Sequence, residues 1–202
     1  MGNHKRHIAT KLIRIKAASS EAAASFLADA KPFSFTAVLE QNPLRCVDIK
    51  AIAASCCQNS ELLIVDNIVS AAACNAIRLG ADAELLASED DNFIVRIKRD
   101  YLQSVQFQYE LVDDDVLPAN IESWSRSSDC ALAFASYLSC HPKIECCAYP
   151  GLKSDPSFIV AAQTLERGFG PLVSYKYCGN TDWHTLDVGE KQLEELIASF
   201  ES

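Results

Sequence analysis

Two polar side chains stand where predicted strands end, and through them this chain could bind a ligand. Asp66 closes the apolar run Leu62–Val65, and Asn42 follows the predicted strand Phe33–Leu39, directly before Pro43. Parallel sheets place ligands at the carboxyl ends of their strands, where a carboxylate and an amide offer hydrogen bonds. Each residue also has a structural interpretation, because Asp66 could cap the following segment and Asn42 could set a turn. The sequence alone leaves both interpretations open.

The other candidates for chemistry form weaker patterns. His184 lies between two aspartates and could act as a general base, but no nucleophile is paired with it in the sequence. The acidic runs Glu89–Asp91 and Asp113–Asp115 lack the spaced oxygen ligands and the glycine of an EF-hand loop. We therefore expect solvated turns there and no metal site. Non-covalent binding of a small anionic ligand stays a third hypothesis, weakened because neither GxGxxG nor GxxxxGK[ST] occurs.

Nine cysteines are present, without a CxxC pair and without histidines at zinc-finger spacing. Two adjacent pairs, Cys56-Cys57 and Cys146-Cys147, and most of the others lie among alanine, leucine and isoleucine. In such settings cysteine behaves as a small hydrophobic residue, so we expect packing roles and no disulfide framework. His141, directly before Pro142, is likewise expected to be structural.

Composition bounds the class of protein. The chain has 202 residues, 49% of them hydrophobic, and a net charge of −9. These values are typical of a folded globular protein, and the negative charge argues against nucleic-acid binding, which needs a concentrated basic face. No apolar run approaches the roughly 20 residues of a membrane span, and the N-terminus has no apolar signal core. We therefore expect a soluble, cytoplasmic protein that binds neither membrane nor nucleic acid.

Short apolar strands alternate with helices in the first half of the chain. Such strands suit burial on both faces of a parallel sheet, so the predicted fold class is α/β, with a mostly parallel sheet and flanking helices. The predicted strands are Ile8–Ile15, Phe33–Leu39, Leu62–Val65 and Ala83–Ala87, and the predicted helices are Ser20–Ala30, Val47–Cys57 and Ser70–Leu79.

The second half follows a different pattern. Asn92–Arg99 and Gln103–Val112 alternate with period two and predict a half-exposed hairpin, and a long helix is predicted from Pro118 to Cys140. We expect an α/β domain over residues 1–115 and a long helix with a small α+β domain over 116–202. The last elements predicted are the strands Ile144–Tyr149, Pro171–Tyr177 and Trp183–Val188 and the helices Ser157–Arg167 and Glu190–Phe200.

Four segments, over residues 39–53, 62–82, 138–174 and 186–196, carry a family resemblance through their order and spacing. The chain resembles the Cys/Met-metabolism family of pyridoxal-phosphate (PLP) enzymes, the cystathionine synthases and lyases of fold-type I. The family's long N-terminal part has no counterpart. The residues that carry the resemblance include Leu39-Glu40, Asn42-Pro43, Val47-Asp48-Ile49, Val65-Asp66-Asn67, Leu79-Gly80-Ala81-Asp82, His141-Pro142, Tyr149-Pro150-Gly151-Leu152, Gly168-Phe169-Gly170, Ser174 and Val188-Gly189.

The resemblance implies which positions would hold the cofactor. Asp66 corresponds to the aspartate that pairs with the pyridinium nitrogen, and Asn42 and Ser88 are further vestigial cofactor contacts. The family's Schiff-base lysine falls on Asp90, which cannot form an imine. The arginine that grips the substrate carboxylate falls on Thr185. These two losses predict that no PLP is bound covalently and that PLP is the cofactor if there is one.

The resulting hypothesis is a degenerate, non-catalytic relative of the transsulfuration enzymes that acts as an interaction or regulatory subunit. Because the family works as dimers, the expected partner is a second copy or a full-length PLP enzyme. The alternative is a working PLP-dependent lyase or transferase. Such an enzyme would use a site completed by a partner, or another lysine such as Lys98. Whether the chain is an enzyme thus stays open, with the substitutions favouring the non-catalytic hypothesis.

Overall fold

The computed structural model describes residues 8–113 and 121–201, which form two compact units. Unit 1 contains residues 8–37, 49–71 and 75–113, and unit 2 contains residues 38–48, 72–74 and 121–201. The domain boundary predicted between residues 115 and 116 lies outside the described residues, as do Asp114, Asp115 and Pro118. That boundary therefore stays a prediction.

Unit 1 is built on a six-stranded sheet with the order β2-β5-β6-β7-β1-β8. β2, β5 and β6 are parallel, β7 is antiparallel to β6 and to β1, and β8 is antiparallel to β1. Four strands, β2, β5, β6 and β1, thus run in one direction, and the predicted mostly parallel α/β sheet is confirmed. The strands are β1 Thr10–Lys16, β2 Phe33–Ala37, β5 Leu62–Asp66, β6 Ala83–Glu89, β7 Asn92–Lys98 and β8 Glu110–Val112.

Helices cover this sheet. α1 (Ser20–Ala28) is capped by Ser19, which accepts a hydrogen bond from the backbone N–H of Ala22. Its alanines and Leu27 pack on alternate residues of the central strands, which form one hydrophobic core. α2 (Ile49–Asn59) packs against β5, and α3 (Ala76–Leu79) packs against α2, β6 and β7.

Two predictions about these elements are wrong. β7 and β8 do not form a hairpin, because β1 lies between them and a short helix, α4 (Arg99–Leu102), follows β7. The helix predicted over Ser70–Leu79 is reduced to the single turn of α3. The hydroxyl of Ser70 donates to the side chain of Asn67 at 2.6 Å, and Asn75 is the residue that caps α3.

Among its described residues, unit 2 combines two small antiparallel sheets with three helices. β3 (Leu39–Glu40) pairs with β4 (Arg45–Cys46), and the other sheet has the order β11-β10-β9. No described helix is both long and apolar enough to cross a bilayer. The remaining elements are β9 Ile144–Ala148, β10 Leu172–Tyr177, β11 His184–Asp187, α5 Ile121–Ser139, α6 Phe158–Thr164 and α7 Leu193–Glu201.

Candidate functional site

Asp66 is the last residue of β5, at the carboxyl end of a parallel strand. Its side chain is half-buried, and Oδ1 accepts a hydrogen bond from the backbone N–H of Ile68 at 3.1 Å. This contact forms an Asx turn, so the capping role weighed from the sequence is present in the structure.

Asn42 does not follow a strand of the parallel sheet. The strand predicted over Phe33–Leu39 ends at Ala37, and Asn42 lies in the turn between β3 and β4, in unit 2. It is exposed and has a φ of 68°, a left-handed conformation that asparagine tolerates better than most residues. The turn-forming role of Asn42 therefore has direct geometric support, and its expected position at a strand end was wrong.

Asp90 occupies the tip of the two-residue turn that joins β6 to β7. Glu89 pairs with Asn92, and Asp90 and Asp91 have φ values of 45° and 61°. Two consecutive left-handed residues are the signature of a type I′ hairpin turn, in which aspartate is favoured. Asp90 and the neighbouring Ser88 are both exposed. The position implied for a cofactor-bearing lysine is therefore part of a tight surface turn.

Lys98, the alternative lysine, is engaged elsewhere in unit 1. Its ammonium lies 2.8 Å from Oδ1 of Asp82 and donates to the carbonyl of Gly80 at 3.2 Å. Asp82 precedes the first residue of β6, whereas Asp66 pairs with Leu85 further along that strand. Lys98 thus lies towards the opposite end of the strands from Asp66. Position 90 thus carries a carboxylate on a surface turn, and the Lys98 ammonium is held by Asp82.

A buried carboxylate on β6 was missed by sequence reasoning. The side chain of Glu84 is fully buried and forms an ion pair with Arg96, its direct neighbour on β7. Its Oε2 atom also accepts hydrogen bonds from the side-chain amide of Asn67, at 2.9 Å, and from the backbone N–H of Ala76, at 2.8 Å. Burial raises the pKa of Glu84, and the Arg96 charge opposes that rise.

Because Glu84 ties the residue after Asp66 to the start of α3, it holds the strand-end loop in place. The signal was available in the sequence: an acidic residue at position 84 and a basic one at position 96 interrupt otherwise apolar strands. Such charges are rare in buried strands unless they are paired.

Thr185, the position implied for the substrate-binding arginine, makes a short structural hydrogen bond in unit 2. Its hydroxyl lies 2.6 Å from that of Ser174, the residue opposite it on β10. Ser174 is fully buried and also accepts the backbone N–H of Leu44 at 3.1 Å. A hydroxyl in this position offers no charge to a carboxylate substrate.

The two described histidines have different surroundings. His184 is exposed, and its ring stacks on Tyr175 with a centroid separation of 5.7 Å. No nucleophile hydrogen-bonded to it is present among the described residues. His141 uses both ring nitrogens, since Nδ1 accepts the backbone N–H of Lys143 and Nε2 contacts Glu201. Both ring nitrogens of His141 are thus engaged within unit 2.

The cysteines divide between core and surface, so the prediction of mainly packing roles holds only for some of them. Cys46, Cys56 and Cys74 are buried, and burial raises the pKa of the Cys46 thiol to about 12. Within the adjacent pairs, Cys57 and Cys146 are the more exposed members, and two single cysteines are exposed as well. The exposed cysteines are Cys57, Cys140, Cys146 and Cys178.

Comparison with known proteins relates this chain to sulfur-amino-acid enzymes. It is 35% identical to an O-acetyl-L-homoserine sulfhydrylase from Leptospira meyeri over 42% of this chain and 19% of that enzyme. It is 29% identical to a cystathionine gamma-synthase from Mycobacterium tuberculosis over 78% of this chain and 44% of that enzyme. The chain thus spans less than half the length of the curated relatives it matches. No family model matches it.

Solved structures agree on the fold. A methionine gamma lyase from Micromonospora echinospora superposes with a TM-score of 0.57 over 80% of this chain and 50% of that one, at 18% identity. A cystathionine gamma synthase from Xanthomonas oryzae pv. oryzae gives a TM-score of 0.58 over 81% of this chain and 47% of that one, also at 18% identity. Over part of their length, the chain is similar in sequence to enzymes of the Cys/Met-metabolism PLP family, and it shares the fold of the two solved structures.

Proposed function

We propose that this chain is a non-catalytic relative of the transsulfuration PLP enzymes that works by associating with another protein chain. Asp90 carries this proposal. It stands where the resemblance implies the lysine, and it lies exposed in a hairpin turn with left-handed backbone. The hydrogen bond between Thr185 and Ser174 supports the proposal independently, because it occupies the position implied for the substrate-binding arginine.

A cofactor titration tests whether the chain can still bind PLP covalently through a lysine. PLP is added to the folded protein at increasing concentration, the mixture is reduced with borohydride, and modified lysines are located and quantified by mass spectrometry. We expect only scattered, substoichiometric labelling of surface lysines, with no plateau at one PLP per chain. A Lys98→Ala variant serves as the matched control and should give the same labelling, since its ammonium is held by Asp82.

A saturable, one-to-one adduct on a single lysine would contradict the proposal and favour the alternative, a working PLP enzyme. An adduct lost in Lys98→Ala would identify Lys98 as the replacement anchor. An adduct that forms only after a full-length transsulfuration enzyme is added would favour a site completed by a partner.

The associating partner is proposed to be a second copy of the chain or a full-length PLP enzyme. Apolar side chains on the surface of unit 1 support association: Tyr109 is 42% exposed and Leu111 is 59% exposed. Light scattering over a wide concentration range should give a mass above the 22.1 kDa of one chain. A single-chain mass at every concentration would refute the homo-oligomer. The expected cytoplasmic location remains a prediction.

A further inference from the structure

His141 joins three elements of unit 2 through both nitrogens of its ring. It follows α5, and Nδ1 accepts the backbone N–H of Lys143 at 3.2 Å in the turn before β9. On the other side of the ring, Nε2 lies 2.8 Å from Oε1 of Glu201, the last residue of α7. The side chain of His141 is only 9% exposed.

These contacts define the protonation state of the ring. A backbone N–H can only donate, so the Nδ1 atom facing Lys143 must carry a lone pair and no proton. The single proton of the neutral imidazole is therefore on Nε2, from which it is donated to the carboxylate of Glu201. Any second proton has to be added at Nδ1, against the N–H of Lys143.

We propose that His141 is a proton-operated switch that couples the turn before β9 to the C-terminal end of α7. Protonation at Nδ1 places two donors face to face and breaks the bond from Lys143, which loosens the turn and leaves it held by the bond from the Ile144 N–H to the His141 carbonyl. The same proton converts the contact between Nε2 and Glu201 into an ion pair, which holds α7 more tightly. Imidazole is the side chain whose ordinary titration falls between pH 5 and 8. The proposal concerns unit 2 alone and does not depend on the proposed function.

The charged groups around the ring have opposite effects on the addition of a second proton to His141. The carboxylate of Glu201 favours it, and the hydrogen bond from Tyr137 of α5 lowers the pKa of Glu201, which keeps it ionised across this range. The Lys143 ammonium, 3.4 Å from Oε2 of Glu201, opposes it. Phe200 and the ring of Tyr137 close two sides, with centroids 5.1 and 5.4 Å from the imidazole. Cys178 lies beside this turn, since its Sγ contacts the carbonyl of Pro142 at 3.6 Å.

Amide hydrogen exchange measured by NMR between pH 8 and pH 5, corrected for the intrinsic rate, tests the switch. We expect the Lys143 amide to lose about 2- to 10-fold protection as His141 protonates, the amount that one hydrogen bond supplies. The amide of Leu196, inside α7, should keep its protection. The ring ¹⁵N signals at pH 8 should show the proton on Nε2.

Three variants separate the switch from a general acid effect. In His141→Asn, Oδ1 can accept the N–H two residues along at every pH, so the Lys143 amide should stay protected at pH 5. In Glu201→Gln, the transition should move to lower pH because the carboxylate no longer favours the second proton. His184→Asn, a change at the other described histidine, should leave the transition in place.

Three results would overturn the proposal. One is Lys143 protection that is independent of pH in the wild-type protein. The second is a proton on Nδ1 at pH 8. The third is the same pH dependence in His141→Asn as in the wild type, which would mean that another group controls this turn.

Discussion

Removing Arg96 should destabilise the protein strongly, because it leaves the buried carboxylate of Glu84 without its counter-charge. Glu84 is fully buried, and Arg96 is the cation that contacts it. Breaking a buried ion pair at one partner typically costs about 3–5 kcal/mol. Arg96→Met keeps the length and apolar stem of the side chain, so little of the loss would come from packing. We therefore expect a loss of about 3–5 kcal/mol in the free energy of unfolding at pH 7.

The loss should shrink as the pH falls. Burial already raises the pKa of Glu84, and removing Arg96 raises it further. Between its unfolded and folded pKa values, the native state binds more protons than the unfolded state, so stability falls as pH rises through that window. In acid the native Glu84 of Arg96→Met takes up a proton and the penalty of a buried charge disappears. The variant should therefore lie closer to wild type at pH 5 than at pH 7.

Urea unfolding followed by circular dichroism at both pH values measures this effect. The matched control is the double variant Glu84→Gln with Arg96→Met, in which a neutral amide oxygen can still accept from Asn67 and Ala76. We expect the double variant to recover most of the loss and to show little dependence on pH. A cost below about 1 kcal/mol for Arg96→Met, equal at both pH values, would refute the reasoning, since that is the value of an exposed pair.

Two other predictions test local features. Gly80→Ala should lower the free energy of unfolding by more than Gly179→Ala does. Both glycines have positive φ, so both variants are strained at the backbone. A Cβ added at Gly80, however, would lie 2.5 Å from the Cβ of Ala53, whereas no atom lies within 4 Å of a Cβ added at Gly179. Equal unfolding free energies for the two variants would contradict this. Iodoacetamide at pH 8 should leave Cys46 unmodified in the folded protein, because its thiol is buried and burial raises its pKa to about 12. Mass spectrometry measures the labelling. Modification of Cys46 in the folded protein as fast as in urea would refute this prediction. The cysteines expected to react are Cys57, Cys140, Cys146 and Cys178.

Elements with a strong local signal were predictable from sequence. The strand β5 and the start of α1 at Ser20 both appear where the pattern indicated, because these signals are decided within a few residues. The position of β1 between β7 and β8 was not predictable. It depends on pairing between strands about 80 to 100 residues apart, which periodicity does not encode.

The site was predictable in part for a related reason. Asp66 was placed correctly at a strand end because the strand itself was clear. The role of Glu84 depends on its register with Arg96 across the β6–β7 turn, and a hairpin assigned to the wrong strands hides that register. Asn42 was misplaced because two-residue strands such as β3 and β4 carry no periodic signal.

The hairpin between β6 and β7 links the residue at the position implied for the lysine to the shape of the sheet. A type I′ turn brings β7 back immediately alongside β6, and it requires residues that accept positive φ at both central positions. Asp90 and Asp91 meet that requirement, and β7 then pairs with β6 from Glu89 to Ala83. A lysine at position 90 would stand on this exposed turn. We therefore propose that the aspartate at the position implied for the lysine and the tight turn are one structural feature, because the turn itself favours residues that accept positive φ.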